Sequence, residues 1–203
     1  MKNKSAVVFA TWFGSGLIPP PKFVSGMAGT YGSLASLPLC FMVVWRTQPL
    51  HWIWYSFITF VIFWIGCVTV PRAEVALGAQ VDWKGKTKTH DQNQIVIDET
   101  FGMLVTCYPL IFIPFDSYWF SLFLAFILFR FFDIVKVWPT SYFDKMEDAF
   151  GVMMDDGMAG VYAAICLTFI LLHYYLTLLF LVALAVIIWL EERQKKKKFT
   201  TVN

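Results

Sequence analysis

The chain predicts an all-α, polytopic membrane protein, and three observations carry that expectation. Of its 203 residues, 58% are hydrophobic and 15% charged, with a mean hydropathy of +0.62, against about 25% charged in an average soluble domain. The apolar residues gather into five runs free of Asp, Glu, Lys and Arg: Ser33–Trp45, Pro49–Pro71, Thr100–Phe115, Ser117–Phe129 and Gly157–Leu190. Trp45, Trp52, Trp54, Trp119, Trp138 and Trp189 fall near the ends of these runs, where amphipathic rings settle at a membrane–water interface.

Residues 1–33 form a mixed segment, rich in Gly and Pro from Gly14 to Gly32, whose start is expected to be a short amphipathic helix lying on the membrane. Its glycines and prolines break the first apolar stretch, so no cleavable signal peptide is expected. Gly26, Gly29 and Gly32 then precede a helix-like run. Such glycines let backbone N–H groups approach a phosphate, but a tight turn with Ser33 as N-cap is the favoured explanation of them taken alone, since neither a Walker nor a dinucleotide fingerprint is present. Ser33–Trp45 and Thr100–Phe115 are short for full spans, so some segments are expected to be tilted or half-buried. The run from Gly157 to Leu190 would be roughly 50 Å long as one helix at 1.5 Å per residue, against a hydrocarbon core of about 30 Å. It divides better into two helices turning near His173-Tyr174-Tyr175, for six hydrophobic helical segments in all.

Charge placement supports that count. Six segments put both termini on one side, together with every Lys and Arg except Arg46 and Arg130. The positive-inside rule makes this the cytoplasmic side. Every acidic residue but Asp116 falls on it as well. The net charge of +2 comes largely from the tail that carries Arg193 and Lys195 to Lys198. Without that tail the chain is slightly negative, which leaves no broad basic surface for nucleic acid; the lysines read as a topology anchor at anionic headgroups. Cys40, Cys67, Cys107 and Cys166 lie far apart inside apolar runs, with neither zinc spacing nor a disulfide framework.

The chemistry lies where acids meet apolar sequence, because a carboxylate beside hydrocarbon costs on the order of several kcal/mol unless paired, hydrated or metal-bound. His90, Asp91, Asp98 and Glu99 lead into the run beginning at Thr100. Two hard carboxylates completed by substrate phosphate oxygens are a common way to hold magnesium, although neighbours on a helix point about 100° apart and suit separate roles. Arg130, Asp133 and Lys136 follow i, i+3, i+6 spacing among Phe129, Phe131, Phe132, Ile134 and Val135. An ion-pair ladder would explain this stripe on a solvated helix. In apolar surroundings it suits phosphate binding by Arg130 and Lys136, with Asp133 as metal ligand or positioner. Asp155 and Asp156 repel unless a cation or proton lies between them, and they precede Gly157, Ala159 and Gly160, which allow close helix packing. Asp144, Glu147 and Asp148 occupy a polar loop and read as solvated charges. Cys67 to Arg72 is one residue short of the thiol-phosphatase loop and lacks its glycines; no Gly-x-Ser-x-Gly, His-Glu-x-x-His or Asp-x-Asp motif occurs.

Taken in order, Gly-Ser-Gly-Leu (14–17), Gly-Thr-Tyr-Gly-Ser-Leu-Ala (29–35), His-Asp-x3-Ile-Val-Ile-Asp-Glu (90–99), Phe-Arg-x2-Asp-x2-Lys-x-Trp-Pro (129–139) and Asp-Asp-x-Met-Ala-Gly (155–160) resemble the phosphatidylglycerophosphatase A family. The resemblance covers about residues 10–165. It implies a catalytic domain over 1–165 followed by an apolar extension, 166–203, with a lysine-rich cytoplasmic tail. It also implies a multi-pass enzyme of the bacterial inner membrane, dependent on magnesium (Mg2+), that removes the terminal phosphate of phosphatidylglycerol phosphate. Its partners would be a phospholipid substrate and the membrane. The family's acids would fall on Asp91, Asp98, Glu99, Asp133, Asp155 and Asp156, and its basic positions on Arg130 and Lys136. Ala28 before Gly29-Thr30, Ile97 before Asp98 and Val137 after Lys136 depart from the usual pattern; these changes touch packing, loop shape and substrate range.

On this basis Asp98, Glu99, Asp155 and Asp156 would hold the metal, with Asp133 and Asp91 as further ligands or as the base that activates water. Arg130 and Lys136 would neutralise the phosphate, beside Gly29, Thr30, Gly32 and Ser33. His90 would protonate the leaving alkoxide or orient Asp91. Water attack and an aspartyl-phosphate intermediate both remain open. The alternatives are another membrane lipid phosphomonoesterase and a divalent-cation transporter, which predicts acids near the bilayer midplane.

Overall fold

The structure is a computed structural model that describes residues 3–18, 28–44, 51–81, 87–88, 90, 92–113, 117–172, 179, 181–189 and 193. It is helical, as the sequence predicts. The helices are α1 (Lys4–Ala10), α2 (Ala28–Val44), α3 (His51–Leu77), α4 (Ile97–Cys107), α5 (Tyr118–Val135), α6 (Thr140–Phe143) and α7 (Ala149–Leu172), with short 3-10 turns at Ser15–Leu17, between α1 and α2, and Tyr108–Ile111, after α4. A two-residue antiparallel pairing, β1 (Gln80–Val81) with β2 (Thr87–Lys88), sets Gln80 opposite Lys88 in the α3–α4 connection.

Among the described residues three helices, α3, α5 and α7, are long and apolar enough to cross a membrane. Their outward faces explain why. Trp54, Phe57, Phe60 and Trp64 on α3, and Trp119, Phe120, Phe123 and Ile134 on α5, are all exposed. An apolar surface of that extent would aggregate in water, whereas in a bilayer it faces its proper solvent. The count of six is therefore less sharp than the class: α2 has 17 residues and α4 only 11. α7 passes without a break across residue 165. The expected turn at His173–Tyr175 lies outside the described residues, beyond which 181–189 is helical with Leu184 buried.

The short α4 is the inner helix. Ile97, Met103, Leu104 and Cys107 are fully buried, and the Tyr55 hydroxyl of α3 donates to the Leu104 carbonyl at 2.6 Å. Where α4 crosses α7, a Cβ on Gly160 would lie 2.5 Å from the Gly102 carbonyl oxygen, and one on Gly102 would lie 2.3 Å from the Phe129 ring. Only glycine lets these backbones approach so closely. That contact brings the start of α4 alongside Asp155 and Asp156 of α7.

Three local features set helix ends. Asp148 caps α7 by accepting the Gly151 N–H at 2.7 Å, so this acid, expected to be a solvated loop charge, stabilises a helix start. Ser117 caps α5 by accepting the Phe120 N–H at 3.4 Å. The other end of α5 stops at Lys136, which adopts the left-handed conformation (φ 46°, ψ 58°). At the amino terminus α1 packs along α3 with Ala6 and Ala10 buried, and the Ala10 carbonyl accepts the Val96 N–H at 2.9 Å, fixing the segment that enters α4.

Candidate active site

A cavity of about 180 Å³ opens where α2, α4, α5 and α7 converge. The first turn of α4 supplies Asp98 and Glu99, α7 supplies Asp155 and Asp156, and the end of α5 supplies Arg130, Asp133 and the following Lys136. Ala28 and Gly29 of α2 form another wall. Of the acidic and basic residues assigned to catalysis, metal or phosphate, all but His90 and Asp91 therefore line one cavity.

Carboxylate oxygens of Asp98, Glu99 and Asp156 lie within 4.8 Å of one another. Adjacent residues on a helix diverge, and Asp98 overcomes this by turning back on the helix start, where its Oδ1 accepts the Glu99 N–H at 3.0 Å. Asp98 and Asp156 are buried. Glu99 Oε2 is sealed from solvent and has no hydrogen-bond partner among the described residues. Burial pushes the Glu99 carboxyl up to about 8, and Asp156 and Asp133 add to the rise against the Asp98 hydrogen bond and Arg130. A group of hard oxygen donors with an orphaned buried oxygen fits a small divalent cation.

The other two acids assigned to metal occupy a different place. Asp133 Oδ2 accepts from Arg130 Nη1 at 2.8 Å, and Asp155 Oδ2 accepts from Lys136 Nζ at 2.8 Å. Lys136 also ion-pairs with Asp144. Burial alone would lower the proton affinity of Lys136, but Asp155 and Asp144 outweigh it and hold the ammonium above its ordinary value. The expected i, i+3, i+6 stripe holds for Arg130 and Asp133; the left-handed turn carries Lys136 off the helix toward α7.

From Ala28 onward the glycine-rich segment is helix rather than turn, and Gly26 lies outside the described residues. α2 already includes Ala28, so Ser33 is inside the helix and is no N-cap. Its hydroxyl donates to the Gly29 carbonyl at 2.8 Å and lies 3.5 Å from Arg130 Nη1. A Cβ at Gly29 would stand 2.3 Å from Glu99 Oε1 and 3.1 Å from Arg130 Nη1, so the missing side chain leaves room between the acidic and basic groups. Gly32 faces Val96, 2.5 Å from its would-be Cβ, and Thr30 is half-buried away from the cavity lining.

His90 does not line the cavity: its Nδ1 pairs with Glu74 Oε1 at 2.8 Å. Asp91 lies outside the described residues. Sequence reasoning misses Gln92 and Asn93, which do line the wall. Gln92 is buried and its Nε2 donates to the carbonyls of Gly78, at 2.6 Å, and Glu74, at 3.3 Å, latching the α4 entry to the end of α3. A neutral amide between apolar and charged residues gives little signal in composition. Asp144 reads as a loop charge in the sequence because only the fold brings it to Lys136.

The profile of the phosphatidylglycerophosphatase A family matches residues 8–171. A Haemophilus influenzae protein named phosphatidylglycerophosphatase A is 36% identical over 159 residues, 78% of this chain and 83% of the relative. Its namesake from Escherichia coli is 32% identical over 173 residues, 85% and 87% of the two chains. A Bacteroides thetaiotaomicron protein named putative phosphatidylinositol-3-phosphatase is 31% identical over 162 residues, 78% and 89%. No solved structure matches the chain. With the match running across every helix that lines the cavity, the chain is an enzyme of the phosphatidylglycerophosphatase A family.

Proposed function

We propose that this enzyme hydrolyses the terminal phosphomonoester of phosphatidylglycerol phosphate to phosphatidylglycerol and phosphate, at the cytoplasmic face of a bacterial inner membrane and with Mg2+ as its metal. The observation that carries the proposal is the convergence of Asp98, Glu99 and Asp156 around an unsatisfied buried oxygen, beside Arg130 and Lys136. Asp98, Glu99 and Asp156 would hold the cation, which when bound supplies Lewis-acid polarisation and charge neutralisation. Arg130 and Lys136 donate charge-assisted hydrogen bonds to the non-bridging phosphate oxygens, holding the phosphoryl group alike in the bound substrate and in the transition state.

Asp133 and Asp155 hold these two donors in place through their ion pairs. Asp133, at the cavity wall, is also the group that takes the proton of the attacking water. The water oxygen forms the new bond to phosphorus, the ester P–O bond breaks, and the glycerol oxygen leaves with its electron pair and takes up the proton released from the water through Asp133. Position favours reaction over transport: Asp98 and Glu99 sit in the first turn of α4 and Asp133 near the end of α5, at one face of the helical array.

The Bacteroides relative's name gives a second headgroup to test, with the same phosphomonoester chemistry. Purified enzyme is assayed for phosphate release from phosphatidylglycerol phosphate, phosphatidylinositol 3-phosphate and phosphatidic acid, in Mg2+ and in EDTA. The expected result is fastest release from phosphatidylglycerol phosphate, lost in EDTA and restored by Mg2+. Preference for the inositol lipid would move the substrate assignment, and full activity in EDTA would remove the metal from the mechanism.

A further inference from the structure

Lys136 is held in an unusual way for a phosphate-binding lysine. It leaves α5 in the left-handed conformation, which side chains other than glycine adopt at a cost. The turn carries its ammonium between two elements, onto Asp155 of α7 at 2.8 Å and onto Asp144 just after α6. An ammonium has three N–H donors and no acceptor. Two are committed to these carboxylates, and Lys136 itself lines the cavity. We propose that Asp144 is a positioning residue for substrate binding: with Asp155 it clamps the Lys136 ammonium so that the remaining N–H meets a non-bridging oxygen of the phosphomonoester.

Asp144 is 41% exposed, and its partner's side chain 30%. An isolated surface pair of that exposure adds little to stability. Its value lies in direction: without Asp144 the flexible lysine stem is free to swing onto Asp155 alone, and the donor aimed at the cavity loses its orientation. Asp155 cannot impose the direction alone, because a single ion pair leaves the ammonium free to rotate about it. The inference rests on the proposal that Lys136 takes the substrate phosphate, and the test separates the two.

The measurement is inhibition by inorganic phosphate together with KM and kcat, at saturating Mg2+, in the full-length enzyme. Asp144→Ala is expected to raise both KM and the phosphate inhibition constant about ten-fold, the scale of one charge-assisted hydrogen bond. kcat should stay within about two-fold, Mg2+ half-saturation should not move, and Asp144→Glu should restore binding. Asp144→Asn, which keeps the shape but loses the charge, should fall between. Lys136→Met should weaken phosphate binding, and adding Asp144→Ala to it should change nothing further, since the two act through one ammonium. If Lys136→Met leaves phosphate inhibition unchanged, the proposed role of Lys136 fails. If Lys136→Met weakens binding but Asp144→Ala has no effect, or an additive one, the positioning role of Asp144 is overturned. That role is overturned as well if Asp144→Ala lowers thermal stability and Mg2+ affinity along with phosphate binding.

Discussion

The two halves of the cavity are built to different rules. On the α5 side each cation has its own carboxylate: Arg130 with Asp133, and Lys136 with Asp155 and Asp144. On the α4 side Asp98, Glu99 and Asp156 crowd together, and among the described residues no ion pair reaches Glu99 or Asp156. The charges of the basic half are paired without a ligand. The acidic half carries a desolvation cost and, when ionised, repulsion that a cation would relieve. In the proposed reaction a phosphate entering between them would meet paired donors on one side and, with the metal bound, a positive charge on the other.

That contrast is most directly broken by neutralising one residue on each side. Glu99→Gln is expected to lower kcat by about 10²–10³-fold, the scale of losing one electrostatic stabiliser of the transition state, with higher Mg2+ failing to rescue it. Arg130→Lys keeps the charge and loses the planar fork, so a loss of about ten-fold, chiefly in KM, is expected. Steady-state kinetics across a Mg2+ titration reads both. Equal losses, or a Mg2+ dependence in the arginine variant, would dissolve the distinction between the halves.

Gly29 tests the gap between them. Alanine there would press on Glu99 Oε1 and Arg130 Nη1, raising Mg2+ half-saturation and KM together by a few-fold. Because alanine is favoured over glycine in a helix by about 0.5–1 kcal/mol, thermal stability should hold or rise while activity falls. A drop in both, measured by thermal melting in detergent alongside the assay, would assign Gly29 to packing.

The smallest expected effect is on stability. Glu99 in the folded, metal-free protein holds its proton up to about pH 8, against an ordinary 4.5. The folded state therefore binds a proton more tightly than the unfolded chain does. The contribution is fully present below about pH 4.5 and is lost as pH rises to about 8. The melting temperature in EDTA should fall across that window, and saturating Mg2+ should flatten the fall by replacing the proton. A metal-free profile without that slope would place Glu99 in a wetter, ordinary environment.

Much of this architecture is legible in the chain because its signals are local. A run such as Pro49–Pro71 reports its lipid exposure residue by residue, and α3 takes it up from His51 onward. The charged residues stand out because hydrocarbon makes each of them expensive. What escapes is pairing. Spacing places Lys136 on the Arg130 stripe, yet a left-handed turn sends it to α7. Asp144 and Asp148 look alike in the loop, yet one holds Lys136 and the other caps α7. His90 stands beside the family's acids in sequence, but its imidazole pairs with Glu74 at the end of α3.

The sequence by itself determined the membrane class, the helical architecture and the set of charged residues that meet at the cavity, since hydropathy and the cost of a buried charge are properties of each short segment. Only the tertiary structure decided which carboxylates face one another and which pair with Arg130 and Lys136. Those distances depend on how helices cross, and here the crossing is set by bare backbone contact between Gly102 of α4 and Gly160 of α7, far apart in the chain and silent about each other in composition.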